Sequence, residues 1–594
     1  MNYRNAVIIL FLLLQTNCFV LAQYSDPNSL YSQTSEMHNT MVHYDADLGS
    51  INRYYTVTDD MYAWQYENYF HSPECRKRLL KLNDDYLEQI DGLDFDKMNI
   101  NGKVDFILFK RNLEEANYKL IQEGNRYNQI SKLIPFSSRI YELQVPRRRG
   151  DVVDGEKFAK TLNEINKEIK KRIGDAKKDS ISMEMELARA ASAAIKDLQS
   201  SLKNVFDFYN GYDPMFTWWV PKTYAETDSI LLVYEKILAS KGKRTVTQKE
   251  DGSGIVGRPI GKQELIRQLQ SEFIPYTPEE LVMIANKEFA YCDAELLKAS
   301  KEMGFGNNWK AAQEKVKTMF VAPGKQPQAM FDLYMQSVEF LKKNDLVTIP
   351  TLSEETWRMS MMAPERQLVN PFFLGGEELI ISYPTNTMSY DDKLMSMRGN
   401  NPQFSRATVH HELIAGHHLQ QYMTNRNKTY RHFSTPFWGE GYSLYWEMLL
   451  WDLNFPIKPE DKIGMLFWRM HRCARIIFSL NYHLGKWSPQ ECIDFLVDRV
   501  GHERANAEGE VRRSFVGGYS PLYQIAYMLG GLQIMSLKRE LVDSKKMTYR
   551  QFHDALFAEN DMPIEMLRAI LINQPLTKNF RTTWRFYDVK TGVN

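Results

Sequence analysis

Apolar side chains recur along this chain at helix-face spacing. Phe158, Leu162, Ile165, Ile169 and Ile173 follow one another at steps of four, three, four and four, with Lys and Glu between them. Leu187, Ala191, Ile195, Leu198 and Leu202 repeat the pattern. Such steps keep side chains on one face of an α-helix, so both stretches predict long amphipathic helices. A stripe of this kind either packs inside its own chain or binds a partner as a coiled coil; intramolecular packing is the expectation. Further helices are predicted over residues 278–303, 309–319 and 329–344. Strand signals are few. The clearest is 378–383 (ELIISY), closed by Pro384, and a proline there suits an edge strand. Residues 241–261, with basic residues, glycines and Pro259, read as a loop, as do 383–405, rich in Asn, Ser, Pro and Thr. The expected fold class is mainly α, with a small edge β element.

The N-terminus breaks this pattern. Arg4 precedes an unbroken apolar run from Ala6 to Leu14, too short to span a bilayer, and Val20-Leu21-Ala22 supplies a signal-peptidase site. Residues 1–22 are therefore expected to be a signal peptide cleaved after Ala22, the alternative being an anchor helix. Cys18 follows Gln15-Thr16-Asn17, which lacks the small apolar residues of a lipid-attachment signal. No later run reaches the length of a membrane helix, so the mature chain is expected to be exported, periplasmic or extracellular, with no membrane segment.

Composition adds exclusions. The 594 residues carry 74 basic and 74 acidic side chains, which leaves no electrostatic footprint for nucleic acid. At 43% hydrophobic and 25% charged, the chain is globular rather than disordered. Cys75, Cys292, Cys473 and Cys492 form no CxxC pair, which argues against a thiolate zinc site. Cys473 and Cys492, near in sequence, are the more natural disulfide; buried free thiols are equally compatible. Residues 252–257 fit GxGxxG, but a charged stretch precedes them and Arg258-Pro259 follows, so a surface loop is expected rather than a dinucleotide site.

Chemistry concentrates in one place. His410, His411, His417 and His418 fall within nine residues of a chain that has 12 histidines. A histidine followed at once by Glu412, then by another histidine, follows the logic of a zinc site whose glutamate activates the metal-bound water. The spacing is unusual. Histidines six apart lie about 120° apart on an ideal helix, so His411 and His417 can share a metal only if a bulge or break absorbs two residues. Ala415-Gly416 sits where that break is needed. His411 and His418 would lie about 10.5 Å apart along the axis, an awkward span for one ion. His411 with His417 is the favoured pair, with His410 and His418 as neighbours. Downstream, Glu440 and Glu447 lie seven apart in an aromatic and apolar stretch, hence on one helix face. Glu440 as third ligand and Glu447 as acceptor for a ligand histidine's other N–H would explain both carboxylates.

These residues carry a resemblance. His411-Glu412, Gly416-His417, Glu440-Gly441, Leu444-Tyr445 and Glu447 together resemble the gluzincin metallopeptidase pattern, and more closely the bacterial domain-of-unknown-function 885 family, whose members are largely helical and often exported. Weaker likenesses occur at Asn101-Gly102-Lys103-Val104-Asp105-Phe106, at Phe216-Thr217-Trp218-Trp219-Val220 and across 521–530. The resemblance implies a large helical gluzincin-like fold with its edge strand beside a central active-site cleft. It implies zinc held by His411, His417 and Glu440, Glu412 as general base, Glu447 orienting a ligand histidine, and Tyr527 donating to the oxyanion. Tyr519 and Tyr523 are rivals of Tyr527. The chain departs from the family at Ala415, usually proline, at Tyr523, usually glutamine, and in a longer 513–521 segment.

The organisation expected is a helical region 23–370 and a metal-site region 371–594, halves of one catalytic unit. The function expected is an exported zinc peptidase acting on peptide bonds. Two other classes compete: a non-haem iron enzyme using the same two histidines and carboxylate, and a non-enzymatic exported nutrient-binding protein. Arg512, Arg513, Arg581 and Arg585 are candidates to clamp a terminal carboxylate and make the enzyme an exopeptidase.

Overall fold

The computed structural model describes residues 34–56, 70–178, 183–243, 251–367 and 375–588. The leader at 1–22 and the boundary near Asn370 fall outside them. The protein is mainly α, 70% helical with 2% strand. Among the described residues, no helix is long and apolar enough to cross a membrane. Its contacts divide it into two compact units, one of Val42–Leu93 with Phe109–Val256, the other of the described parts of Met1–Met41, Asp94–Leu108 and Gly257–Asn594.

In the smaller unit, the two apolar stripes become α1 (Gly155–Lys178) and α2 (Met185–Tyr209), and α3 (Pro221–Ser240) packs on both. Phe158, Leu162, Ile165 and Ile169 share one buried cluster with Ala191, Ile195, Leu198 and Leu202, and with Leu231 and Tyr234. The stripes are thus used up inside the chain, as expected. Two short strands, β1 (Met183–Glu184) and β2 (Gly242–Lys243), pair in parallel. The GxGxxG stretch has neither strand nor helix, and Gly252 and Gly254 take positive φ of 86° and 66°.

The larger unit holds the histidine cluster. β3 (Arg358–Met361) and β4 (Glu378–Ile381) pair in parallel, Met359 opposite Leu379, so the 378–383 strand exists in shortened form. The helices that build the site are α4 (Pro278–Glu302), α5 (Pro402–Glu412), α6 (His417–Thr424), α7 (Pro436–Asp452), α8 (Pro459–His483), α9 (Arg504–Val516) and α10 (Tyr523–Lys538). α7 and α10 are apolar nearly all round and buried, as such helices must be. They meet at two glycines: a Cβ on Gly441 would lie 2.5 Å from Gly530 Cα, and one on Gly530 would lie 2.2 Å from the carbonyl oxygen of Phe437.

Two expectations are corrected. Residues 383–405 are not a loop throughout: a helix runs Tyr390–Gly399 and α5 begins at Pro402. The polar residues that suggested a loop are helix caps, with the Ser389 and Asn401 side chains accepting from the amides of Asp392 and Phe404. Cys473 and Cys492 are not a disulfide; all four described cysteines are free and buried. Cys473 faces Cys292 across the α4–α8 contact, while Cys492 Sγ lies 3.7 Å from the carbonyl oxygen of Phe478. Proximity in sequence fails here because helix direction decides which side chains meet.

The Asn101–Phe106 likeness has a structural explanation. Asp105 is fully buried and accepts from Arg431 Nε (2.7 Å), Ser35 Oγ (2.6 Å) and the Tyr430 hydroxyl (3.0 Å). Asn101 Oδ1 accepts from Lys428 Nζ (2.9 Å) and Arg431 Nη2 (2.7 Å). These bonds pin the connection between α6 and α7, which carry His417, Glu440 and Glu447.

Two predictions follow from this packing. Gly530→Ala should force α10 away from α7 and cost about 3 kcal/mol or more, measurable by denaturant unfolding; an unchanged midpoint would contradict the close approach. The second concerns acid. Burial depresses His483 to about 4, and His502 and His553 to about 3. Above pH 6.5 these groups are neutral whether the chain is folded or not, so their contribution is intact. As pH falls below 6.5 the unfolded chain takes up protons that the folded chain refuses, and stability is lost towards pH 3–4. At pH 5 the loss should be about 2 kcal/mol per histidine. Unfolding midpoints at pH 7 and pH 5 check this, and equal midpoints would refute it.

Candidate metal centre

α5 carries His411 and ends at Glu412; α6 begins at His417. The four residues between are not helical, and the Ile414–Ala415 peptide is cis. The Gly416 amide donates to the carbonyl of His410 at 2.9 Å. Gly416 has a φ of −85°, open to other residues, but a Cβ there would lie 1.8 Å from the carbonyl oxygen of His411. Close approach, rather than a left-handed backbone, therefore demands glycine.

The break turns both imidazoles onto one carboxylate. His411 Nε2 lies 3.5 Å and His417 Nε2 3.2 Å from Glu440 Oε2. The three residues' donor atoms all fall within 4.8 Å of one another. Tetrahedral zinc with bonds of about 2.0–2.1 Å separates its ligand atoms by about 3.3 Å, so the His–Glu separations fit a metal ion. The far side of each ligand is also held. Glu447 Oε1 lies 2.7 Å from His411 Nδ1, Ser443 Oγ lies 3.3 Å from His417 Nδ1, and the Tyr523 hydroxyl donates to Glu440 Oε1. Outer partners of this kind fix ring orientation and tautomer in metal sites.

Glu440 and Glu447 both lie on α7, seven residues apart, and both are buried, Glu440 keeping a small opening to the cleft. Burial raises the Glu447 carboxyl, but Arg472 and His411 outweigh it and hold it at about 2. Arg472 Nη2 donates to Glu447 Oε1 at 3.2 Å. Burial would likewise lower His417, yet the Glu440 charge and hydrogen bond lift it to about 9. Glu440 itself is held well below the usual carboxylate range by the two histidines, against the opposing effect of burial.

The remaining predicted residues fall around this centre. Glu412 is not among the converging donors; it lines the same cleft, and a Cβ on Gly375 would sit 2.4 Å from its Oε2. Burial raises its carboxyl above the ordinary range, with His411 and His417 opposing. His410 is fully buried with its ring against Phe455, 5.8 Å between centroids. His418 faces two carbonyl oxygens, Gly376 at 3.0 Å and Ser353 at 2.8 Å, and so anchors the segment leading into β4. Tyr527 lines the cleft, its ring 6.1 Å from that of His411 and nearly parallel to it. Its hydroxyl lies 3.5 Å from that of Tyr523, which is committed to Glu440; Tyr519 stacks on Tyr523 at 4.3 Å. Burial pushes both the Tyr523 and Tyr527 phenols up, so both remain protonated donors.

The cleft has a volume of about 400 Å³. Of the arginines considered from sequence, Arg513 lines it. Arg512 and Arg581 are exposed, and Arg585 pairs with Glu280. The sequence reading missed Arg472 and Arg475 on α8, and Glu510 on α9, the partner of Arg475. A signal existed: Arg469, Arg472 and Arg475 recur every third residue in a helix that is otherwise largely apolar.

If Glu440 is a ligand and Glu447 an orienting group, their removal should differ. Glu440→Ala should leave purified protein largely without zinc. Glu447→Ala should retain the ion but weaken its affinity by about 10- to 100-fold. Metal analysis with a competing chelator measures both, and full zinc retention in Glu440→Ala would refute the donor set.

With the geometry in place, comparisons bear on ancestry. No curated protein matches the chain. Two solved structures share its fold. One is a candidate lipoprotein of unknown function from Shewanella oneidensis, 14% identical with a TM-score of 0.60, covering 90% of this chain and 98% of that one. The other is a candidate lipoprotein from Colwellia psychrerythraea, 16% identical with a TM-score of 0.54, covering 90% and 97%. The family model described as "Bacterial protein of unknown function (DUF885)" matches residues 67–571, a span that takes in His411, Glu412, His417, Glu440 and Glu447, and the chain belongs to that family.

Proposed function

We propose that the protein is an exported zinc-dependent peptidase. The observation that carries this reading is the pairing of a two-histidine, one-carboxylate donor set with a separate carboxylate, Glu412, on the wall of the same cleft. A purely metal-storing site has no use for that fourth group. Zinc held by His411, His417 and Glu440 would act as a Lewis acid, bringing the pKa of water to about 7 and polarising a carbonyl. Glu412, adjacent in sequence to His411 but outside the donor set, takes the proton of the attacking water and passes it to the leaving amine. Tyr527, protonated and with a loosely held hydroxyl, donates to the oxyanion as the carbonyl becomes tetrahedral. Tyr523 positions Glu440 instead. β4 leads out of the cleft from Gly375 and Gly376, and its edge away from β3 suits an extended peptide by strand addition. Export is supported by the apolar run Ala6–Leu14 followed by the cleavage signal Val20-Leu21-Ala22, and both structural neighbours are described as candidate lipoproteins.

Glu412→Gln separates binding from chemistry. It keeps size and hydrogen bonding and removes basicity. The variant should fold and hold zinc as the parent does, while hydrolysis of a peptide mixture falls by about 10²- to 10⁴-fold. Zinc and turnover measured on one sample decide it: parental turnover in a zinc-loaded variant would sink the mechanism. Stoichiometric iron with little zinc in the purified protein would redirect the reading to an iron enzyme.

A further inference from the structure

We propose that Arg475, supported by Arg513, binds the C-terminal carboxylate of the substrate, so that the enzyme removes one or two residues from the peptide's end. This rests on the peptidase reading and adds the substrate class.

Arg475 lies on α8 and is 1% exposed, yet it lines the cleft. Its Nε donates to Glu510 Oε1 at 2.7 Å, and its Cζ sits 4.3 Å from the Tyr527 ring centroid. Its Nη1, also buried, has no hydrogen-bond partner. A guanidinium offers five N–H donors in a fixed fork, and a buried one left unused keeps the full cost of its desolvation. A group that enters the cleft can satisfy it.

The charge around Arg475 selects what that group should be. Glu510 is shared: Arg513 Nε lies 2.7 Å from its Oε2, and Gln524 Nε2 donates to its Oε1 at 3.0 Å. Arg472 pairs through Nη2 with Glu447, which it does not share with another arginine, although its Nε is also buried without a partner. Three guanidinium groups thus meet two carboxylates on this wall. The cleft's other carboxylates have other tasks: Glu440 and Glu412 belong to the metal centre, and Asp561 Oδ1 accepts from the Thr435 amide at 3.1 Å. Arg475 therefore shares its one carboxylate with a second guanidinium while its Nη1 stays without a partner, and a planar carboxylate matches the guanidinium fork.

Distance then favours a chain end. Tyr527 touches both centres, its ring 6.1 Å from the His411 ring and 4.3 Å from Arg475 Cζ. An extended chain advances about 3.3–3.6 Å per residue, so one or two residues bridge the scissile carbonyl and the guanidinium. Because Arg475 is buried in the wall, a chain reaching it ends there.

The test measures binding without turnover. Zinc-loaded Glu412→Gln protein is incubated with random N-acetyl-tripeptide libraries, and the retained peptides are weighed by mass spectrometry. One library has free C-termini and no Asp or Glu; a second is its C-terminal amide; a third is an amide library containing Asp and Glu. Retention of the free acid at least tenfold above its amide is expected. That preference should vanish when Arg475→Gln is combined with Glu510→Gln, which removes both charges together. Should the double variant fail to fold by circular dichroism, Arg475→Lys, which keeps charge but loses the fork, should weaken the preference. Equal retention of acid and amide, or retention of neither, overturns the proposal. Preference for the Asp/Glu amides alone also overturns it, because the anion is then a side chain. A preference that persists in Arg475→Lys and in the folded double variant removes Arg475 from the role. The two readings fail separately. Internal cleavage by the parent protein with no acid preference leaves the peptidase standing and the clamp refuted, whereas acid preference without cleavage does the reverse.

Discussion

Two imidazoles six residues apart can face one carboxylate only if the helix between them stops. At 100° per residue an unbroken helix would hold His411 and His417 about 120° apart. The chain ends α5 at Glu412 and starts α6 at His417, and Gly416 lets the turn close against the carbonyls of His410 and His411. Much else follows from that break. It gives α6 a new direction, so that His418 turns away from the centre and hydrogen-bonds the carbonyls of Gly376 and Ser353. That bond holds Gly375 against Glu412. It also brings Gln420 to the Trp438 carbonyl at 3.0 Å, tying α6 to the helix that supplies Glu440.

The second requirement is that buried charges be paired. A lone buried carboxylate is costly, and breaking a buried pair is more so. Here the charges run as a chain: Arg472 to Glu447, Glu447 to His411, His411 to Glu440, Glu440 to Tyr523. Each donor is gripped on the side away from its neighbours, which leaves a single direction for the remaining lone pairs. The glycine contact between α7 and α10 sets the length of that chain, because it fixes how near Glu440 comes to Tyr523 and Tyr527.

Periodicity made the helices legible, since a 3.6-residue repeat of buried positions needs no knowledge of the partner. Residues 158–202 are the clear case. The four histidines and the Glu440–Glu447 spacing were legible for the same local reason. Tertiary information was not. Residues 383–405 look like loop because caps and loops draw on the same polar residues, and only the following hydrogen bonds tell them apart. The Cys292–Cys473 proximity depends on how α4 crosses α8, which no spacing encodes. Arg475 escaped notice because arginines in a sequence are usually solvated, and its value lies in burial.

α8 shows how that burial arises. Steps of three residues advance about 300° and 4.5 Å along a helix, so successive side chains at this interval fan round it by about 60°. Arg469, Arg472 and Arg475 therefore point at three neighbours in turn. Arg469 meets Glu288 of α4 at 2.8 Å, Arg472 meets Glu447 of α7 at 3.2 Å, and Arg475 meets Glu510 of α9 at 2.7 Å. One helix thereby ties three others to itself by charge, and the middle arginine of the fan reaches His411 through Glu447. The last of the fan differs from the first two in sharing its carboxylate with another arginine, Arg513. Each of the three keeps one buried N–H without a hydrogen-bond partner, Nε in Arg469 and Arg472 and Nη1 in Arg475. Arg472 and Arg475 line the cleft, and of these Arg475 is the one whose carboxylate also serves a second guanidinium, which leaves it the less fully neutralised of the two.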